Sequence, residues 1–230
     1  MTLNKDLQYE RNKCTFRAIE LTHLMDGGPE KTKQRREREQ FFLGDPELQD
    51  DVPARYKSHK EVYEDAMRKA CRVLQKVREL QESGNGGMDV FTHVFGARLG
   101  SAVLKDGNPF LVHYAMFLPA IMGQGTSKQQ EYWINRSWSG NVVGTYAQTE
   151  LGHGTFIRGL ETTATFDPNT MEFVLNSPSL TSYKWWPGGL GHTANYAVVV
   201  AQLYTQGECR GIHPFIVQLR DENTHEPMPG

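Results

Sequence analysis

The chain has 230 residues, which is enough for one large or two small domains. Hydrophobic residues make up 38% of the chain, so a packed core is possible, and the net charge of −2 gives no electrostatic reason to expect binding to nucleic acid or to an anionic membrane. The N-terminal residues lack the apolar core of a signal peptide, and the longest uncharged apolar stretches, such as residues 194–203, are too short to cross a bilayer.

Helices are predicted over about the first 140 residues, because apolar positions there recur every three or four residues. Residues 26–30, Asp-Gly-Gly-Pro-Glu, form a helix-start signal, and the charged helix after them is expected to continue through Arg38 and to end near residues 44–46. Basic and acidic residues alternate along this helix, which favours a solvated helix face over a nucleic-acid site.

The next predicted helix has one clear apolar stripe with a helical period. A glycine-rich break follows it at residues 83–87, and further helical stretches are predicted over residues 90–104, 111–122 and 128–138. The stripe consists of Val62, Ala66, Ala70, Val73, Leu74, Val77 and Leu80.

The second half of the chain changes to segments that favour strands. Two short turns, Asp167-Pro-Asn-Thr170 and Thr205-Gln-Gly-Glu208, each separate a pair of such segments, which predicts two hairpins. Antiparallel strands joined by short turns imply a sheet or a barrel. The predicted strands are residues 162–166, 172–176, 195–204 and 211–219.

The change from helix to strand near Gly140 predicts two domains, residues 1–140 and residues 141–230. The chain ends at Glu226-Pro-Met-Pro-Gly230, directly after a predicted strand, with nothing to cover the edge or the second face of that sheet. A fragment or a truncated isoform of a longer protein is therefore expected.

Cysteine and histidine are too scattered to indicate a disulfide framework or a metal centre. Cys14, Cys71 and Cys209 form an odd set, which favours a reducing environment. The eight histidines have no HExxH spacing, and no CxxC occurs, so no metal site is predicted.

Two segments are dense in glycine, threonine and aromatic residues: residues 144–155, Gly-Thr-Tyr-Ala-Gln-Thr-Glu-Leu-Gly-His-Gly-Thr, and residues 184–191, Lys-Trp-Trp-Pro-Gly-Gly-Leu-Gly. Glycine lets the backbone approach a planar ligand, threonine offers hydroxyl groups, and tryptophan offers flat apolar walls. The same pattern is typical of glycine-rich loops around core tryptophans. Neither segment is a GxGxxG or phosphate loop, so the residues alone favour this second, structural interpretation.

Both segments resemble the flavin-binding signatures of the acyl-CoA oxidases, a branch of the acyl-CoA dehydrogenase superfamily. The resemblance spans nearly the whole chain, and the Trp-Trp-Pro-Gly-Gly sequence is more similar to peroxisomal oxidases than to mitochondrial dehydrogenases. Besides the two segments, it rests on residues 21–30, 160–165 and 213–217.

The resemblance implies an α+β fold, with an N-terminal helical domain followed by an incomplete antiparallel β-barrel domain of the acyl-CoA dehydrogenase type. It implies an enzyme that uses FAD to convert fatty acyl-CoA to trans-2-enoyl-CoA and reduces dioxygen to hydrogen peroxide in peroxisomal β-oxidation. A homodimer is implied for the full-length enzyme. Peroxisomal placement rests on the resemblance alone, because the chain does not end in Ser-Lys-Leu.

Five site residues are carried over from the resemblance. Thr149 would hydrogen-bond the pyrimidine edge of the flavin, and Gly188 would offer its N–H near the reactive flavin nitrogen. Gln148, Gly154 and Thr155 would line the cofactor or the acyl-CoA cleft. If both segments contact one flavin, they must converge on one face of the β-domain, although they lie far apart in the chain.

No catalytic residue is assigned within the chain. The resemblance places the catalytic carboxylate in a C-terminal helical region beyond residue 230. Glu150 belongs to the flavin-loop signature and Glu161 begins a predicted strand, so neither is a favoured substitute.

Two alternatives to the oxidase remain open. One is a dehydrogenase that passes electrons to another flavoprotein. The other is a non-catalytic chain that binds oxidase subunits or acyl-CoA and regulates them.

Overall fold

The computed structural model describes residues 4–84, 94, 98–105 and 107–229. The chain divides into two compact units, Met1–Asp51 and Val52–Gly230, and the second unit holds the later helices together with the whole sheet. The division into domains at residue 140 stays a prediction. No helix of the described part of the chain is long and apolar enough to cross a membrane.

The first unit contains helices α1 (Lys5–Asn12), α2 (Ala18–Asp26) and α3 (Pro29–Leu43). The prediction for α3 is confirmed: Pro29 occupies its first turn, and it ends just before Gly44. Ion pairs join Lys33 to Glu37 and Arg35 to Glu39, each across one turn of the helix.

The helices of the second unit also follow the predicted periodicity. Helix α4 (His59–Glu82) begins with a capping box at Ser58, and its buried residues include four from the predicted stripe, Ala66, Ala70, Val73 and Val77. Within the predicted stretch 90–104, helix α5 (Arg98–Val103) is present, and much of the remainder lies outside the described residues.

A π-helical turn (His113–Phe117) leads into helix α6 (Leu118–Gln124), and α7 (Ser127–Ser139) follows. Thr126 caps the start of α7, and Gly140 ends it in the left-handed conformation at φ +85°. These elements agree with the helices predicted over residues 111–122 and 128–138.

In the described part of the chain, five strands form one sheet that does not close into a barrel. The strands are β1 (Gly144–Ala147), β2 (Thr163–Asp167), β3 (Glu172–Asn176), β4 (Tyr196–Thr205) and β5 (Glu208–Gln218). Strands β2 and β3 form one antiparallel hairpin, and β4 and β5 form the other, so both predicted hairpins are confirmed.

The expected antiparallel pairing is present in both hairpins, but the sheet as a whole is mixed. Both β1 and β2 run parallel to β4, through the pairs Gly144–Tyr196 and Thr163–Gln202. Since β5 occupies one edge of β4, β1 and β2 follow each other along its other edge. Turn signals reveal only strands that are adjacent in sequence, whereas parallel partners require a long connection.

The sheet has one face packed against the helices. Tyr196 and Val198 of β4 join Phe117, Ile121 and Val142 in a buried cluster on that face. The alternating residues Ala197 and Val199 pack with Ala147 on the opposite face. Gly144 of β1 permits the close approach to the helices, because a Cβ atom there would lie 2.1 Å from the Phe117 ring.

Candidate functional site

The two glycine-rich segments pair with each other beside the sheet. We call residues 144–155, which begin with strand β1, the first loop and residues 184–191 the second loop. The Trp185 N–H donates to the Thr149 carbonyl at 2.9 Å, and the Thr145 hydroxyl donates to the Gly188 carbonyl at 2.7 Å. The expected convergence of the two loops is therefore confirmed.

The predicted flavin contacts Thr149 and Gly188 both carry polar groups that have no hydrogen-bond partner among the described residues. The Thr149 side chain is half-buried, and its hydroxyl has no hydrogen bond to any described residue. The Gly188 N–H likewise has no acceptor among the described residues, although its carbonyl accepts from Thr145. Two donors in paired loops fit the polar edge of a planar cofactor.

The other three predicted site residues have different positions. Gln148 is half-buried and its carbonyl accepts a hydrogen bond from the Lys184 ammonium group at 3.0 Å. Gly154 and Thr155 are exposed, after the turn in which the backbones of Glu150 and His153 hydrogen-bond each other. The part of the two loops that is joined by hydrogen bonds thus contains Gln148, Thr149 and Gly188. Gly154 and Thr155 lie at the exposed end of the first loop.

A cavity of about 450 Å³ adjoins the second loop at Gly188. Val112, Gly188 and Thr193 are among the residues that line it, and the Tyr63 and Thr193 hydroxyls are hydrogen-bonded at 2.9 Å. A Cβ atom on Gly188 would lie only 2.8 Å from Cγ2 of Val112. Glycine at this position therefore allows the loop to approach the helical segment closely.

The two tryptophans of the second loop are not core residues. Trp185 is 58% exposed and Trp186 is 87% exposed, so the interpretation of these loops as packing around core tryptophans is wrong. Trp186 also has a φ of +68°, a conformation that costs a bulky residue energy and is concentrated at functional sites. Exposed indoles on a strained loop are consistent with a surface that receives a ligand.

A buried ion pair, which the sequence reasoning missed, joins the two loops. Lys184 Nζ lies 3.1 Å from Glu150 Oε1, and the Glu150 side chain is fully buried. Burial opposes ionisation of Glu150, but hydrogen bonds from the backbones of Glu161 and Thr162 and from Lys184 lower the pKa of its carboxyl group to about 2. Burial lowers the pKa of Lys184, although the hydrogen bond to Glu150 acts in the opposite direction, and each of the three ammonium protons has an acceptor.

Glu150, His153 and Glu161 bring possible metal-ligand atoms within 4.8 Å of one another, although no spacing motif indicated it. Glu150 Oε2 lies 3.0 Å from His153 Nδ1, and Glu161 accepts hydrogen bonds from the Ser179 and Thr181 hydroxyls. Other groups of the protein therefore already contact the carboxylates of Glu150 and Glu161, so this three-residue cluster gives no argument for a metal ion.

Comparison with known proteins identifies the family. The model of the acyl-coenzyme A oxidase N-terminal region matches residues 18–143. The chain is 59% identical over 228 residues to acyl-coenzyme A oxidase 1 of Drosophila melanogaster and 48% identical over 228 residues to peroxisomal acyl-coenzyme A oxidase 1 of Cavia porcellus. These matches cover 99% of this chain, and 34% and 33% of the two relatives.

A solved structure gives the same result for the fold. Acyl-CoA oxidase-2 of Caenorhabditis elegans, bound with FAD, ascaroside-CoA and ATP, superimposes with a TM-score of 0.82 at 37% sequence identity. The match covers 99% of this chain and 33% of that one, so the chain spans about a third of the length of the relatives. The family match and the shared fold together show that this chain belongs to the acyl-coenzyme A oxidase family.

Proposed function

We propose that the chain supplies the flavin-contacting loops of a FAD-dependent acyl-CoA oxidase of peroxisomal fatty-acid β-oxidation. The overall reaction converts acyl-CoA and dioxygen to trans-2-enoyl-CoA and hydrogen peroxide. Support comes from membership of the family, from the relative solved with FAD and ascaroside-CoA, and from the relative named as peroxisomal. A homodimer of the full-length oxidase is part of the same proposal.

The observation that carries the proposal is the pairing of the two loops around two donors, the Thr149 hydroxyl and the Gly188 N–H, for which the described part of the chain offers no acceptor. In the proposed complex, the Thr149 hydroxyl bonds the pyrimidine edge of the flavin and the Gly188 N–H donates near its reactive nitrogen. Gln148, Gly154 and Thr155 line the cofactor or the acyl-CoA cleft. When bound, FAD would accept the two electrons of the oxidation and transfer them to dioxygen.

We assign the general base of the proposed reaction to a region of the full-length oxidases that this chain does not cover. Abstraction of the proton α to the thioester needs a carboxylate that binds protons near neutral pH. The pKa of Glu150 is about 2, and hydrogen bonds from the Ser179 and Thr181 side chains lower the pKa of Glu161 below its usual value. Neither residue therefore offers a carboxylate with a raised pKa.

FAD titration of the purified chain tests the role of Thr149. We expect Thr149→Val, which keeps the side-chain volume, to weaken FAD binding about fivefold, since one hydrogen bond contributes about 1 kcal/mol. Thr149→Ser keeps the hydroxyl and is the matched control, with an expected affinity close to that of the unmodified chain. Equal FAD affinity in the Val and Ser variants would show that the hydroxyl does not contact the cofactor.

A second candidate function is a non-catalytic chain that binds oxidase subunits or acyl-CoA. It is favoured by the exposed apolar residues of β3, Phe173, Val174 and Leu175, which line a cleft of about 880 Å³. Peroxide formation from palmitoyl-CoA with added FAD separates the two candidates. Turnover within tenfold of a full-length oxidase would require a base within this chain, whereas co-purification with a full-length subunit and no turnover would favour the second candidate.

A further inference from the structure

Resting on the proposed flavin site, we infer that the buried Lys184–Glu150 pair is a positioning pair. It holds the two glycine-rich loops in the arrangement that presents Thr149 and Gly188 to one cofactor. Neither side chain contacts the cofactor in this proposal. Their role is to fix the backbone on which the contacting groups are carried.

The ammonium group of Lys184 connects the second loop to the first loop and to strand β4. It donates to the Gln148 carbonyl at 3.0 Å, to Glu150 Oε1 at 3.1 Å and to the Val200 carbonyl at 2.7 Å. Gln148 and Glu150 flank Thr149 in the chain, so the ammonium group holds the first loop on both sides of the predicted flavin contact. The Val200 contact attaches the same group to the central strand β4.

Glu150 extends the network to the start of strand β2. Its two carboxylate oxygens accept hydrogen bonds from the backbone N–H groups of Glu161 and Thr162, both at 2.9 Å. The Thr162 hydroxyl in turn donates to the Ser182 carbonyl at 3.0 Å, two residues before Lys184. The pair and its partners therefore form a closed set of contacts between both loops and the sheet.

Energetics separate a positioning role from a general stabilising role. Removing two charges from water is costly, and buried ion pairs are often replaced by apolar residues without loss of stability. A network that contributes little net stability can still restrict a backbone to one arrangement. The contacts of Lys184 and Glu150 are placed to do this, because they end on the first loop, on strand β4 and on Glu161 and Thr162, which directly precede β2.

Two variants of the purified chain distinguish the roles. Lys184→Met removes the ammonium group and leaves the Glu150 charge buried, whereas Lys184→Met combined with Glu150→Gln removes both charges. Lys69→Met is the matched control, since Lys69 is 3.0 Å from Asp65 and nearly buried, but on helix α4. For each variant we measure the melting temperature, the FAD affinity and the hydrogen exchange of two loop amides. These are the amides of Leu151 and Trp185, which donate to the Tyr183 and Thr149 carbonyls.

We expect the single variant to melt at a lower temperature and the double variant to recover part of that loss. In both, the loop amides should exchange at least tenfold faster relative to α4 amides, and FAD binding should weaken at least tenfold. Loop exchange at the rate of the unmodified chain in the double variant would overturn the positioning role. The same acceleration in Lys69→Met would also overturn it.

The exchange measurement keeps this inference separate from the proposed function. If the unmodified chain takes up no FAD, the assignment of a flavin site to this chain fails. Faster loop exchange in the double variant would even then support the positioning role, and unchanged exchange would refute it.

Discussion

Acidification should destabilise this protein through one buried histidine, His113. It is 2% exposed, and its Nδ1 accepts a hydrogen bond from the Gly144 N–H at 2.9 Å. Burial lowers the pKa of His113 from 6.5 to about 4, although a hydrogen bond with the Ser137 backbone acts in the opposite direction. The ring is therefore neutral in the folded protein, and protonation of Nδ1 would break the contact between the π-helical turn and strand β1.

The sign and size of the effect follow from the two pKa values. Because the pKa of His113 is lower in the folded than in the unfolded chain, its contribution is complete above pH 6.5 and is lost as the pH falls to about 4. At about 1.4 kcal/mol per pH unit, the whole loss is about 3 kcal/mol, and about 2 kcal/mol is lost by pH 5.

Urea unfolding at pH 7.5 and pH 5.0 tests this prediction. We expect the unmodified chain to lose about 2 kcal/mol more than His113→Gln over this range, since glutamine offers an acceptor to Gly144 without titrating. His213→Gln, at an exposed position in β5, is the control substitution, and the loss attributed to His113 should persist in it. A similar pH dependence in His113→Gln and the unmodified chain would refute the assignment.

Two further substitutions test the second loop. Gly188→Ala should clash with Val112, reduce stability by about 1–3 kcal/mol and weaken FAD binding. Gly191→Ala is the control and should change stability little, because an added Cβ there meets no atom within 4 Å. Equal melting temperatures of the two variants would contradict this prediction. The Arg220 guanidinium donates to the carbonyls of residues 190, 191 and 194. Arg220→Gln should therefore accelerate proteolysis of residues 188–194 and reduce stability by about 1–2 kcal/mol. An unchanged cleavage rate would argue against this role of Arg220.

Local patterns in the sequence were enough to predict most elements of the second unit. The apolar stripe of α4 has a helical period, and four of its residues are buried as expected. The turn at residues 167–170 lies between β2 and β3, and the turn at residues 205–208 connects β4 and β5. These features depend on residues a few positions apart, so backbone preferences and periodicity are sufficient to reveal them.

Prediction of the candidate site was less complete. Similarity of the two glycine-rich segments to a known family suggested Thr149 and Gly188, and the structure places both in paired loops. The exposure of Trp185 and Trp186 was not determined by the residues alone, because tryptophan is equally suited to a core and to a ligand surface. The roles of Thr149 and Gly188 at a flavin remain predictions.

The sequence by itself determined helices α3 to α7, strands β2 to β5 with their two hairpins, and the segments that carry the family resemblance. Only the tertiary structure decided that β1 and β2 run parallel to β4 and that Lys184 pairs with Glu150 across the two loops. The physical reason is separation along the chain. Parallel pairing and buried ion pairs join residues that share no local pattern, and they form only when burial of the sheet and the helices brings those residues together.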